Sequence, residues 1–191
     1  MRIAIIGTGF IGGILGRALT SAGHDVVFGS RSGSVGGVEL AATVTSISGA
    51  LAGADVVILA LPGGAVRDLV AEHGDALAGQ LVIDATNQMG MPIANARAHL
   101  PESVRYARAF NTLGGENLAD PRFGGEVADL FFSAPVADEA TVDAVIAGVG
   151  LRPIYVGEDR EELIDALFQL WIALAMGQGR GRRLALKLLE G

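Results

Sequence analysis

The chain has 191 residues, half of them hydrophobic, a formal net charge of −7 and no cysteine. That length supports one domain with a substantial core. The missing cysteines exclude disulfides, thiol catalysis and cysteine-ligated clusters, and the acidic balance argues against a nucleic-acid surface.

The chain opens with an apolar run, Arg2–Ile6, that predicts a first strand. Gly7-Thr8-Gly9-Phe10-Ile11-Gly12 follows directly, then a helix-length segment over 10–22 and a second apolar strand over 25–29. A GxGxxG set between a strand and a helix, with another strand after it, is the dinucleotide-binding fingerprint. Gly7 turns the chain sharply off the strand, Gly9 lets the backbone approach a pyrophosphate, and Gly12 allows close helix–strand contact. The N–H groups at the helix start, with their partial positive charge, then face the phosphates. A signal-peptide reading, with Ala18-Leu19-Thr20-Ser21-Ala22 as the cleavage site, explains neither the glycine register nor the βαβ pattern that continues beyond it.

The second strand ends in Ser30-Arg31. NAD sites carry an acidic residue there to bind the ribose hydroxyls; a hydroxyl and a guanidinium suit a 2′-phosphate instead, so the cofactor expected is NADP. The glycine-rich loop Ser32–Gly37 follows and is expected to be mobile and to close over that phosphate.

Strands are predicted near 55–61, 81–85, 104–110, 128–134 and 152–156, with a short one near 43–47. Helices are predicted over 63–78, 91–99, 138–148 and 161–176, with a last one near 181–190. The near-continuous apolar strand Asp55–Leu61 is what a strand covered on both faces requires. The alternation implies an α/β fold: a doubly wound, mostly parallel Rossmann-type sheet with a short helical C-terminal tail. One domain spans 1–191, with 159–191 as a helical appendage.

In such a sheet, ligands bind beyond the carboxyl ends of the strands. Four ends carry distinctive residues: Ser30-Arg31, Ala60-Leu61-Pro62-Gly63-Gly64, Ala85-Thr86-Asn87 and Ala109-Phe110-Asn111-Thr112. Pro62 stiffens a wall against a flat ring. Asn87 and Asn111 each offer donors and an acceptor, as a carboxamide or flavin edge requires, or else simply form turns on their own backbones. Phe110 is either part of the wall or ordinary core. The loop Thr112–Gly125 is glycine-rich and expected to be mobile.

The fingerprint, Ser30-Arg31, Arg108-Ala109-Phe110-Asn111-Thr112 and Leu170-Trp171-Ile172 resemble the NADPH-dependent reductases of the deazaflavin coenzyme F-420. The domain is also similar to the cytosolic part of the six-transmembrane ferric reductases. The resemblance implies a Rossmann domain exchanging hydride between NADP and a deazaflavin or flavin, commonly as a dimer. By position, Thr8, Gly9, Ser30 and Arg31 would hold the pyrophosphate and 2′-phosphate, and Leu61, Pro62 and Asn111 would border the nicotinamide. The chain departs from that family in having no basic residue in Ser32-Gly33-Ser34-Val35 and no clear deazaflavin pocket near its end.

Two alternatives stay open. A hydroxyacid- or imine-type dehydrogenase needs a proton donor at its substrate and a helical second domain; the single lysine is Lys187, and about 40 residues follow the last strand. A non-catalytic NADPH-binding or redox-sensing protein would keep the phosphate site alone. Leu163, Leu167, Leu170, Trp171 and Leu174 recur at helical spacing and are expected to form a homodimer face. Arg180, Arg182 and Arg183 start the last helix or meet an anionic coenzyme tail. His24, His73 and His99 lack metal-ligand spacing. No apolar run approaches the roughly 20 residues of a membrane helix, so a cytoplasmic location with a small-molecule redox partner is expected.

Overall fold

The computed structural model describes residues 1–31, 42–87 and 95–191. The loop Ser32–Gly37 and residues 91–94 of the expected helix 91–99 lie outside the described residues.

Six parallel strands form one sheet: β1 (Arg2–Ile6), β2 (Asp25–Gly29), β3 (Thr43–Thr45), β4 (Val56–Leu59), β5 (Leu81–Asp84) and β6 (Arg105–Arg108). Their order, β3-β2-β1-β4-β5-β6, reverses direction beside β1 and so opens a crevice between β1 and β4. Helices α1 (Phe10–Ser21), α2 (Ile47–Leu51) and α3 (Val66–Leu77) make the crossovers that parallel pairing demands.

Both faces are covered, and β1 shows how. Ile3 and Ile5 enter one apolar cluster with Leu15, Phe28, Ile58 and Ile83. Ala4 and Ile6 point the other way, into a second cluster with Val57, Leu59, Leu69 and Leu77. Side chains alternate across a strand, so a run apolar at every position is what two buried faces require.

Beyond β6 come α4 (Gly115–Ala119), the hairpin β7 (Arg122–Phe123) and β8 (Glu126–Val127), then β9 (Asp129–Phe132), α5 (Glu139–Gly148), β10 (Arg152–Tyr155) and α6 (Glu161–Ile172). Strands β9 and β10 pair in parallel, and Ser133 bridges to Arg108 in antiparallel sense, attaching this unit to the sheet. Among the described residues, no helix is long and apolar enough to cross a membrane.

Three expectations need correction. Residues 181–190 form no helix. A π-helical turn, Ala173–Gly177, ends α6, and Gly179 and Gly181 then take φ of 65° and 83°, which break the helix. The backbone beyond is bonded by side chains of other elements instead: Asn117 Nδ2 donates to the carbonyls of Arg182 and Leu184, and Trp171 Nε1 donates to Leu184. The Leu188 N–H in turn donates to Asp129. Secondly, Thr112–Gly125 is more than a loop: it holds α4 and β7, with Leu113, Asn117 and Leu118 buried. Thirdly, within 95–99 only the 3-10 turn Arg97–His99 forms.

Candidate functional site

A cleft of about 540 Å³ opens at the carboxyl ends of β1, β2 and β4. Of the expected residues it brings together Gly7, Thr8, Gly9, Ser30, Arg31, Ala60, Leu61 and Pro62. The glycines divide the work as the spacing predicts. A Cβ on Gly7, whose φ is 121°, would lie 2.3 Å from the Ala60 carbonyl oxygen, and one on Gly12 would lie 2.1 Å from that of Gly7. A Cβ on Gly9 would meet nothing within 4 Å. Gly7 and Gly12 thus pack backbone on backbone, while Gly9 keeps a bare face toward the cleft. Gly9 is also the N-cap of α1, with no side chain capping the helix and no acidic residue in its first turn. Amide donors at the end of a helix dipole are suited to an anion.

Ser30 closes the β2 end through its N–H to the Thr45 carbonyl, and Arg31 stands exposed at the cleft edge. Asp68 and Glu72, one turn apart on α3, also line the cleft, and sequence reasoning did not single them out. The described residues therefore fit NADP: a bare backbone turn for the diphosphate, a guanidinium for the extra phosphate and an apolar wall, Ala60-Leu61-Pro62, for a ring.

The other expected residues lie elsewhere. Phe10 is 65% exposed at the start of α1. Ile11 and Asn87 line a second hollow of about 140 Å³ with Phe110, Trp171, Met176 and Arg182. Thr86, Ala109 and Asn111 are buried and line neither opening. Phe110 is core and wall together: it is buried, lines the hollow and holds φ at 70°, a strained angle for a side chain of this size.

What holds these strand ends is a buried charge network. Arg108, at the end of β6, has no exposed surface. Its Nη1 lies 3.1 Å from Asp84 Oδ2, and its Nε and Nη2 donate to Asp165 Oδ1 at 3.0 and 2.7 Å. Asp84 also accepts from Tyr106 Oη, the Thr86 N–H and the Ala96 N–H, while Asn95 Nδ2 donates to the other oxygen of Asp165. Burial alone would pull the Arg108 proton off more easily; Asp84, Tyr106 and Asp165 reverse this and hold the guanidinium above its ordinary value. Burial and the neighbouring Asp84 carboxylate push the Tyr106 phenol well above its usual range. The sequence carried one signal of this network. Asp84 and Arg108 each interrupt apolar strands, and a charge in such a place needs a partner.

The network feeds the hollow. Arg108 Nη1 donates to the Thr86 carbonyl at 2.6 Å, and Asn111 Nδ2 donates to the same carbonyl at 3.0 Å and to Asn87 Oδ1 at 3.2 Å. Asn111 Oδ1 is buried without a partner. Trp171 is buried against Phe168 and drops out of the expected stripe, leaving the exposed Leu163 and Leu170 and the half-buried Leu167 on α6, with the half-buried Leu174 in the π-helical turn that follows. Arg182 and Arg183 are paired with Glu116 and Asp120.

Residues 2–88 match the family described as NADP oxidoreductase, coenzyme F420-dependent. A candidate F420-dependent NADP-reductase from Arthrobacter sp. FB24 superimposes over 100% of both chains, with a TM-score of 0.81 at 23% identity. An imine reductase from Streptomyces aurantiacus aligns over 95% of this chain and 69% of its own, with a TM-score of 0.65 at 20% identity. Glycerol-3-phosphate dehydrogenase (NAD(P)+) from Pseudomonas fluorescens (strain SBW25) is 29% identical over 153 residues, 73% of this chain. The chain spans only 43% of the length of that relative. The match over residues 2–88, just under half of the chain, upholds the resemblance to the coenzyme F420-dependent reductases in the nucleotide half, and the likeness to the Arthrobacter structure shows a fold shared along the whole chain.

Proposed function

We propose that the chain exchanges hydride between the nicotinamide of NADP(H) and a deazaflavin or flavin-type ring. The observation that carries this reading is the glycine turn and Arg31 meeting in one cleft, within the stretch that matches the family. Bound NADPH would supply the hydride. The chain's own residues bind and orient: the Gly7–Gly12 turn and the start of α1 take the diphosphate, and Ser30 and Arg31 take the 2′-phosphate. Leu61 and Pro62 keep water from the nicotinamide edge. Hydride transfer between two rings asks chiefly for reacting carbons held about 3–3.5 Å apart, without a side-chain acid.

The titratable groups fit that economy. Lys187 Nζ is bonded to the Val127 carbonyl, Tyr106 donates to Asp84, and Tyr155 donates to the Ala134 carbonyl. None of these lines the cleft, whose titratable side chains besides Arg31 are the carboxyl groups of Asp68 and Glu72, so among the described residues no lysine or tyrosine stands ready there as the proton donor of a dehydrogenase. The test is loss of NADPH absorbance when FMN, FAD or a deazaflavin is added. Tight NADPH binding without turnover of any of them would favour a sensor instead.

We further propose a cytoplasmic homodimer that covers α6. Leu163 and Leu170 are 51% and 46% exposed and one helical face apart from the buried Ile164 and Phe168. Light scattering should give twice the chain mass; a monomer would refute it.

A further inference from the structure

We propose that Asn87 is a specificity-determining hydrogen-bond donor, aimed at a carbonyl oxygen of the bound ring, with its amide orientation fixed by a buried relay from Asp165 through Arg108 and Asn111. The inference rests on the proposed function and adds to it the polarity of the ligand group and the residues that set it.

The relay is read one bond at a time. The Thr86 carbonyl oxygen can only accept. It takes Arg108 Nη1 at 2.6 Å and Asn111 Nδ2 at 3.0 Å, so the amide of Asn111 has its nitrogen on that side. The same nitrogen lies 3.2 Å from the side chain of Asn87, so the Asn87 atom facing it must be the oxygen. A flipped Asn87 would set N–H against N–H. The N–H2 of Asn87 therefore points away from Asn111. Asn87 is half-buried and lines the hollow with Phe110, Trp171 and Met176.

Arg108 is itself held. Asp165 on α6 receives its Nε and Nη2, and Asp84 on β5 lies against Nη1. With the guanidinium fully buried and gripped from both sides, the Thr86 carbonyl and the Asn111 amide have one arrangement in which every donor is satisfied. Arg108 and Asn111 act as positioning residues; Asn87 is the group that would touch the ligand. A ring carbonyl can come from two sources, the nicotinamide carboxamide or the carbonyl edge of the acceptor, and both offer the same acceptor oxygen.

The experiment compares NADP+ with thio-NADP+, in which a weakly accepting sulfur replaces the carboxamide oxygen. Titrations use the full-length protein, Asn87→Asp and Asn111→Ala, and 2′,5′-ADP serves as a probe without nicotinamide. Asn87→Asp keeps an oxygen for Asn111 but loses the donor, and its charge acts on both dinucleotides alike. The unmodified protein should prefer NADP+ over thio-NADP+ about tenfold. That ratio should fall towards one in both variants, while 2′,5′-ADP affinity stays within about twofold. If the ratio is one throughout but KM for FMN rises about tenfold in both variants, the donor serves the acceptor carbonyl and the inference stands. An unchanged ratio with KM for FMN the same in all three proteins, or with no turnover of FMN, overturns it. A structural role alone would weaken 2′,5′-ADP binding equally and also overturns it. Failure of the unmodified protein to bind 2′,5′-ADP would sink the cofactor reading, and this inference with it.

Discussion

Replacing Arg108 by methionine tests whether the buried network holds the strand ends. The substitution removes the contact with Asp84 Oδ2 at 3.1 Å, two bonds to Asp165 Oδ1 at 3.0 and 2.7 Å, and the bond to the Thr86 carbonyl at 2.6 Å. Methionine fills much of the volume, so the loss is electrostatic rather than a cavity. Asp84 and Asp165, with side chains 0% and 10% exposed, are left as buried carboxylates without their cation. Breaking a buried pair from one side costs about 3–5 kcal/mol, a large part of the roughly 5–15 kcal/mol that holds a typical domain. Asp84 keeps Tyr106 and two backbone N–H donors, and Asp165 keeps Asn95, which argues for the lower end of that range. Urea unfolding should show a midpoint lowered in proportion, at unchanged slope. Adding Asp165→Asn should restore part of the loss, because it removes one uncompensated charge. A loss under about 1 kcal/mol in the single variant, or a further loss in the double, would refute the reasoning.

Other outcomes follow from the same geometry. Gly12→Ala puts a methyl 2.1 Å from the Gly7 carbonyl oxygen, and backbone cannot give way as a side chain can. Thermal unfolding should register about 1–3 kcal/mol or more, and NADPH titration should show weakened binding; an unaffected protein would mean that α1 is not seated as described. Arg31→Asp should weaken NADP binding by about 1.5–3 kcal/mol, nearer the low end because Arg31 is exposed, and move preference towards NAD. Equal affinity of the unmodified protein for both dinucleotides would contradict the role given to Arg31. Burial by itself would raise the Asp129 carboxyl, but the Arg152 guanidinium and the Leu188 N–H outweigh it and hold the group below its ordinary value of 3.8. A depressed carboxyl stabilises above its unfolded pKa and loses that contribution as pH falls through the folded one. The C-terminal segment should therefore stay protected in hydrogen exchange through the ordinary carboxylate range and loosen only below it. Asp129→Asn should remove that pH dependence; loosening at neutral pH in the unmodified protein would count against it.

Much of the nucleotide half was legible because its signals are local. The apolar run of β1, the glycines after it and Ser30-Arg31 at the end of β2 lie within 31 consecutive residues, and each acts through its own backbone or its immediate neighbour. The doubly wound, mostly parallel sheet followed from alternation, since parallel strands need crossovers. The helix expected near 181–190 was not decided by local signals. Asn117, Trp171, Arg152 and Asp129 compete for that backbone from distant parts of the chain, and glycines at 179 and 181 break the continuation.

By itself, the amino-acid order determined the βαβ turn, the expected preference for a 2′-phosphate and the two-sided burial of the sheet, because each depends on residues near one another in the chain. The tertiary structure alone decided which polar side chains are buried and which stand at an opening. Arg108 and Asp165 are 57 residues apart, and only packing α6 against the ends of β5 and β6 gives the guanidinium its partner. That packing buries Asn111 and leaves Asn87 at the opening, a difference that two asparagines at similar strand ends do not reveal in sequence.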